Sequence, residues 1–185
     1  MDATTLARCT GARIDRAEAL ADAIKGAMEA YDISTPGRQG MFLANVGHES
    51  GGLKWLIEIW GPTDAQRRYE GRADLGNNRP GDGFTYRGRG LLQTTGRANY
   101  RRLTERLKAR LDDQVVPDFE VSPELLAQPK WASLSAADYW DMRKLNEKAD
   151  RGDFYGVVRG INGGLNGIEE RTRLWAAARV ALGVS

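Results

Sequence analysis

The chain is poor in the residues that mark several common chemistries. Its 185 residues include one cysteine, Cys9, and one histidine, His48. A lone thiol forms no internal disulfide, so packing must stabilise the fold, and such a composition suits synthesis in a reducing cytoplasm. A zinc-protease helix needs two histidines on one face, which a single histidine excludes. The nucleophile-elbow pattern G-x-S-x-G does not occur. No apolar run approaches the ~20 residues that span a bilayer, so stable membrane insertion is not expected. No basic stretch followed by an apolar core opens the chain, so no secretory signal is expected either. A substrate outside the cytoplasm would then be reached by a separate export or membrane-lesion route.

What is present is an ordinary globular mix, 41% hydrophobic and 28% charged, which excludes a disordered or collagen-like chain. The formal net charge is +2, but it is unevenly spread. Residues 67–110 carry twelve Arg/Lys and four acids, a local +8 that leaves −6 for the rest. Such a segment would attract a polyanion, nucleic acid or the anionic bacterial wall. A solvated arginine-rich helix after residue 97 accounts for it equally well.

Apolar periodicity predicts a mainly α chain forming a single unit over 1–185. Helices are expected over 3–31, 38–49, 91–110, 123–129, 131–149, 153–161 and 168–182. Residues 53–60 read as a short apolar segment, 71–90 as an ordered Gly-rich insertion and 112–123 as a loop. No repeat or linker divides the chain.

Glu49 is the first candidate for chemistry. It follows Phe42 and Val46 on one helical stripe and precedes Ser50-Gly51-Gly52. An apolar setting strips hydration from a carboxylate and raises its pKa, as a general acid requires. A Glu at a frayed helix end is the plainer alternative. Glu58 lies nine residues on and reads alone as a surface residue. Paired with Glu49 it matters more, because glycoside hydrolysis needs two carboxyls across one bond. Gln93, Thr94 and Thr95 offer an amide and hydroxyls for a sugar or a water, or serve as turn residues. Gly88-Arg89-Gly90 begins a dinucleotide fingerprint that fails at Gln93. Asn162-Gly163-Gly164 forms a further polar turn. On the last helix Arg171 shares a stripe with Ile168, Trp175, Ala178 and Leu182. A guanidinium turned inward needs an anionic or carbonyl partner, unless it snorkels to water.

Three stretches together resemble glycoside hydrolase family 19, which holds chitinases and a group of phage and prophage endolysins. They are Phe42–Gly52, Leu75–Tyr100 and Ile161–Arg171, in the family's order. Pro123–Ala127 and Arg171–Arg179 look like the small single-domain endolysins. The resemblance implies a two-lobed, lysozyme-like fold with a central cleft and an inverting mechanism. Glu49 matches the family's general acid, Glu58 its general base, and Thr95 the residue that helps hold the attacking water. His48, Gln93 and Asn162 match cleft positions that bind sugar or order the site. Arg171 matches an arginine linked to the catalytic carboxylates. The segment between Glu58 and Gly71 is short beside many relatives, and the plant enzymes' disulfides cannot form.

The resulting expectation is a monomeric endolysin that cuts the β-1,4 glycan strands of peptidoglycan, with neither metal nor organic cofactor. It would be made in the host cytoplasm and act on the wall after release. The two carboxyls of an inverting pair should stand roughly 6.5–9.5 Å apart. A chitinase of the same family is the near alternative. A non-catalytic wall- or nucleic-acid-binding module using the basic segment is the distant one, and the presence of both carboxylates argues against it.

Overall fold

The computed structural model describes residues 1–111 and 115–184. Among them helices dominate and no strand forms. The extended pieces are two isolated antiparallel bridges, Ile57 with Arg89 and Arg89 with Thr94.

Helix α1 (Ala3–Thr10) starts at Asp2, whose carboxylate accepts from the Thr5 N–H at 2.7 Å. It stops at Gly11, where φ is 69°, so the helix expected over 3–31 is two helices. The second is α2 (Ile14–Ala30). The apolar pattern runs through the corner because both helices face one core, with Leu6, Cys9, Leu20, Ile24 and Met28 all buried. Helix α3 (Pro36–Glu49) starts earlier than residue 38, since Thr35 caps it and Pro36 occupies its first turn. It ends where the Ser50 hydroxyl donates back to Val46 O and accepts from the Leu53 N–H.

Residues 54–96 form a smaller lobe. It contains α4 (Asp64–Arg67), a 3-10 turn at Ala73–Leu75 and α5 (Asp82–Thr85). Internal polar bonds order this Gly-rich region. Asn77 donates to Tyr69 O and accepts from the Arg97 N–H, both at 2.9 Å. Glu70 accepts from the Gly81 and Gly83 N–H groups. The next helix, α6 (Arg97–Leu111), begins at Arg97 rather than at residue 91. Gln93 at φ 55° and Gly96 at φ 95° leave the helical region, and 91–96 becomes a turn.

A 3-10 helix at Pro123–Ala127 leads into α7 (Pro129–Met142). Lys144 at φ 53° divides the helix expected over 131–149 into α7 and α8 (Leu145–Asp150). Helix α9 (Phe154–Asn162) and the last helix, α10 (Ile168–Leu182), complete the order. The loop expected over 112–123 lies partly outside the described residues, at 112–114.

The larger body is built from α1–α3 and α7–α10. Helix α10 lies along α3 and α1, and α2 packs on α7. Gly47 lets α3 meet α1, since a Cβ there would stand 2.4 Å from Thr10 O. In the core, Phe42 meets Trp140 edge to face at 5.5 Å between ring centroids. Arg38 ties the start of α3 to α8 with a two-pronged bond to Asp150 at 2.7 and 2.6 Å.

The basic segment is not one free cationic face. Arg89 is buried and donates to Thr85 O and to the Tyr100 hydroxyl. Arg97 binds Asp82 and Glu120, and Arg110 pairs with Asp141. Arg106, which a solvated arginine-rich helix would leave in water, instead grips the buried Asp138 with bonds of 2.6 and 2.9 Å. Much of the local charge therefore joins elements of the fold.

Candidate active site

Glu49 is the last residue of α3, and the packing of α10 brings Arg171 against it. Arg171 is 1% exposed and spends each arm of its guanidinium on one acceptor. Its Nη2 donates to Glu49 Oε1, its Nη1 to Asn45 Oδ1 at 2.7 Å, and its Nε to Asn166 O at 3.1 Å. The stripe on α10 thus points inward as expected. Glu49, by contrast, is not the isolated carboxylate on apolar surface that its own stripe suggests, but one member of a charge pair. Its side chain is 25% exposed, and Oε2 accepts no bond among the described residues. One oxygen is fixed and the other is open.

Asn45 lies one helical turn before Glu49 and is fully buried. Its Nδ2 donates to Met41 O, which fixes the amide so that Oδ1 faces Arg171. Sequence reading passed over it, although a polar amide between Ala44 and Val46 on the buried side of α3 was the available signal. His48 turns to α10 as well, with Nδ1 2.7 Å from Glu170 Oε2. Asn162 donates to Asn166 O, the carbonyl that also receives Arg171 Nε, and its Oδ1 accepts from the Gly164 N–H. The amide of Asn162 therefore holds the turn that presents Asn166 to Arg171.

Glu58 is supported separately, in the smaller lobe. Its Oε1 accepts from Gln66 Nε2 at 3.0 Å and from the Tyr69 hydroxyl at 3.3 Å, and its Oε2 from the Gly88 N–H at 2.9 Å. All three neighbours donate, which matches an acceptor-only carboxylate. Burial, and then the charge of Glu58, pushes the Tyr69 phenol up, so it remains a donor. Gln66 is itself buried and serves as N3 of the capping box of α4, its Oε1 accepting from the Thr63 N–H. Thr63-x-x-Gln66 was the legible trace of this support. Glu58 is half-buried rather than the surface residue its local sequence suggests.

Gln93 lies next to Glu58 across Gly88. A Cβ at Gly88 would stand 2.6 Å from Gln93 Oε1 and 3.2 Å from Glu58 Oε2. Gln93 Nε2 donates to Trp55 O and Gly90 O, and so holds the segment between the two glutamates. The Thr95 hydroxyl donates to Gln93 O at 3.1 Å. Gln93, Thr95 and Asn99 face Tyr139 and Met142 of α7 across a cavity of about 420 Å³. The structure thus forms two clusters, Glu49–Arg171–Asn45–Asn166 and Glu58–Gln66–Tyr69–Gln93, joined through residues 50–55. Among the described residues no group of three or more His, Cys, Asp or Glu is placed to hold a metal ion.

Two separately supported carboxylates in a mainly helical body are what a glycosidase of the lysozyme-like class requires. The comparisons narrow this. A glycosyl hydrolase family 19 domain-containing protein of Haemophilus influenzae is 33% identical over 171 positions, covering 77% of this chain and 79% of the relative. The chain belongs to glycoside hydrolase family 19 and is a glycoside hydrolase. No protein-family model matches it. Among solved structures, a bacterial family 19 chitinase superposes with TM-score 0.75 at 22% identity, over 98% of this chain and 94% of that one. Chitinase C from Streptomyces griseus superposes with TM-score 0.72 at 21% identity, over 98% and 76%. These likenesses show the shared lysozyme-like fold.

Proposed function

We propose that this chain is an endolysin of the phage or prophage type, which hydrolyses the β-1,4 glycan of bacterial peptidoglycan by inversion. The observation that carries the catalytic part is the unequal support of the two carboxyls. Glu49 keeps one oxygen open beside its ion pair, so that oxygen is free to reach a glycosidic oxygen. Glu58 is surrounded by donors, the arrangement for an anion that takes a proton from water. Thr95, whose hydroxyl can accept a further bond, helps hold that water, and Gln93 keeps the segment carrying Glu58 in place. His48 and Asn162 order the Arg171 side of the cleft.

The peptidoglycan part is supported by charge. Arg102 and Arg143 are exposed and have no ion-pair partner among the described residues. Chitin is neutral and has no use for them. The enzyme would act as a monomer after its release from the cytoplasm to the wall. Among the described residues no helix is long and apolar enough to cross a membrane.

The deciding experiment digests purified sacculi and chitin in parallel and follows new reducing ends. The expected result is much faster release from sacculi, with the α-anomer formed first by proton NMR. Equal turnover of chitin favours the chitinase reading, and a β-anomer formed first refutes inversion.

A further inference from the structure

The cavity beside Thr95 has a charge that the hydrolytic chemistry does not use. Four charged side chains line it: Arg102 and Arg106 of α6, Asp138 of α7, and Arg143 just beyond α7. Arg106 and Asp138 neutralise each other through their two-pronged bond, and Asp138 also accepts from the Tyr31 hydroxyl. That leaves Arg102 and Arg143. Both are exposed, and neither has an ion-pair partner among the described residues. Arg143 lies over the Tyr139 ring at 5.2 Å, a contact that orders a guanidinium without consuming its donors. The Tyr139 hydroxyl in turn donates to Ile161 O, which fixes the ring. Two guanidiniums, one held on an aromatic face, therefore line the same cavity as the amide of Gln93 and the hydroxyl of Thr95.

We infer that this cavity selects substrate by binding a carboxylate carried on the glycan, with Arg102 and Arg143 as its donors. Guanidinium forks match carboxylates in plane and in spacing, and each such charge-assisted bond is stronger than a neutral one. Neutral N-acetylglucosamine chains present no partner for them. Peptidoglycan strands present carboxylates from two sources, the stem peptides and, where a stem is removed, the lactyl group of the muramic residue. The inference rests on the peptidoglycan reading and specifies how that substrate is recognised.

The test uses the full chain carrying Glu49→Gln to stop turnover, and measures its affinity for soluble glycan oligomers by intrinsic fluorescence. The ligands are peptidoglycan tetrasaccharides with stems, the same oligomers after amidase removal of the stems, and chitotetraose. Arg102→Gln with Arg143→Gln should weaken binding of the carboxylate-bearing oligomers at least about tenfold, as loss of a charge-assisted bond predicts. Arg102→Lys with Arg143→Lys should recover part of the loss. Arg101→Gln, one residue away on α6 and outside the cavity, should change little. A loss confined to the stemmed oligomers assigns the site to stem carboxylates, and a loss that persists after stem removal assigns it to the lactyl group. A change under twofold, an equal loss on chitotetraose, or an equal loss from Arg101→Gln overturns the inference. Failure of the unsubstituted enzyme to cut sacculi overturns the peptidoglycan reading itself, and is recorded separately from these affinities.

Discussion

Arg171, buried on α10, donates to Glu49 at the end of α3, so the register of two helices sets the position of the open carboxyl oxygen. Breaking a buried pair by removing one partner costs about 3–5 kcal/mol, because the remaining groups lose their donor. Arg171→Ala should therefore lower the melting temperature by roughly 10 °C for a domain of this size. Arg171→Lys should restore part of the stability but little of the activity. A lysine offers no planar fork to reach Glu49, Asn45 and Asn166 together. Calorimetry and kcat on the same samples check both parts, and an Arg171→Lys enzyme of full kcat would show that the three-way bond is not needed for positioning.

Glu49→Gln and Glu58→Gln should each reduce kcat by at least about a hundredfold, the lower range for loss of a general acid or base. The double variant should lose much less than the product of the two, since the residues act on one transition state. Both amides nearly match the glutamates in shape, so circular dichroism should show an unchanged helical fold. Near-normal turnover by either folded variant would remove that residue from its proposed role.

Gly88→Ala tests the second carboxylate without touching it. The new methyl would crowd Gln93 Oε1 at 2.6 Å and Glu58 Oε2 at 3.2 Å. Gln93 or Glu58 must then shift, and a displacement near 1 Å costs on the order of a hundredfold in rate. The expected result is a fall in kcat with little change in melting temperature. Preserved kcat would show that the crowding is relieved elsewhere.

The helical class, the C-terminal helix at 168–182 and the inward face of Arg171 were all legible, because each is a matter of local period. The breaks at Gly11 and Lys144 were not, since apolar residues on both sides face one core and the period crosses the corner. The partners of the site were hidden for a different reason. Arg171 and Asn45 lie 126 residues apart in sequence, and only the packing of α10 on α3 joins them. The fate of the basic segment was equally non-local, because Asp138, which consumes Arg106, is 32 residues further along the chain. Glu58 could be matched through its family resemblance but not placed, as its three donors come from Gln66, Tyr69 and the Gly88 backbone.

The smaller lobe should be the first part to fail in acid, and Asp82 is the reason. Its side chain is 3% exposed, and Arg97 donates to both carboxyl oxygens while the Arg79 N–H adds a third bond. The Arg97 guanidinium holds the Asp82 carboxyl below its ordinary value of 3.8, against the opposing effect of burial. A carboxylate depressed in the fold contributes stability above its unfolded pKa, and that contribution disappears as pH falls through the folded one. Asp82→Asn should therefore cost about 3 kcal/mol at pH 7, the low end for a broken buried pair because Arg97 keeps Glu120. The gap between wild type and variant should stay constant down to about pH 4 and close below it, as the wild-type carboxyl takes up its proton. Melting temperatures of both proteins from pH 7 to pH 2 measure that gap. A gap that stays constant to pH 2, or that first narrows near pH 6, would show that the Asp82–Arg97 pair does not set the acid limit of the lobe that carries Glu58.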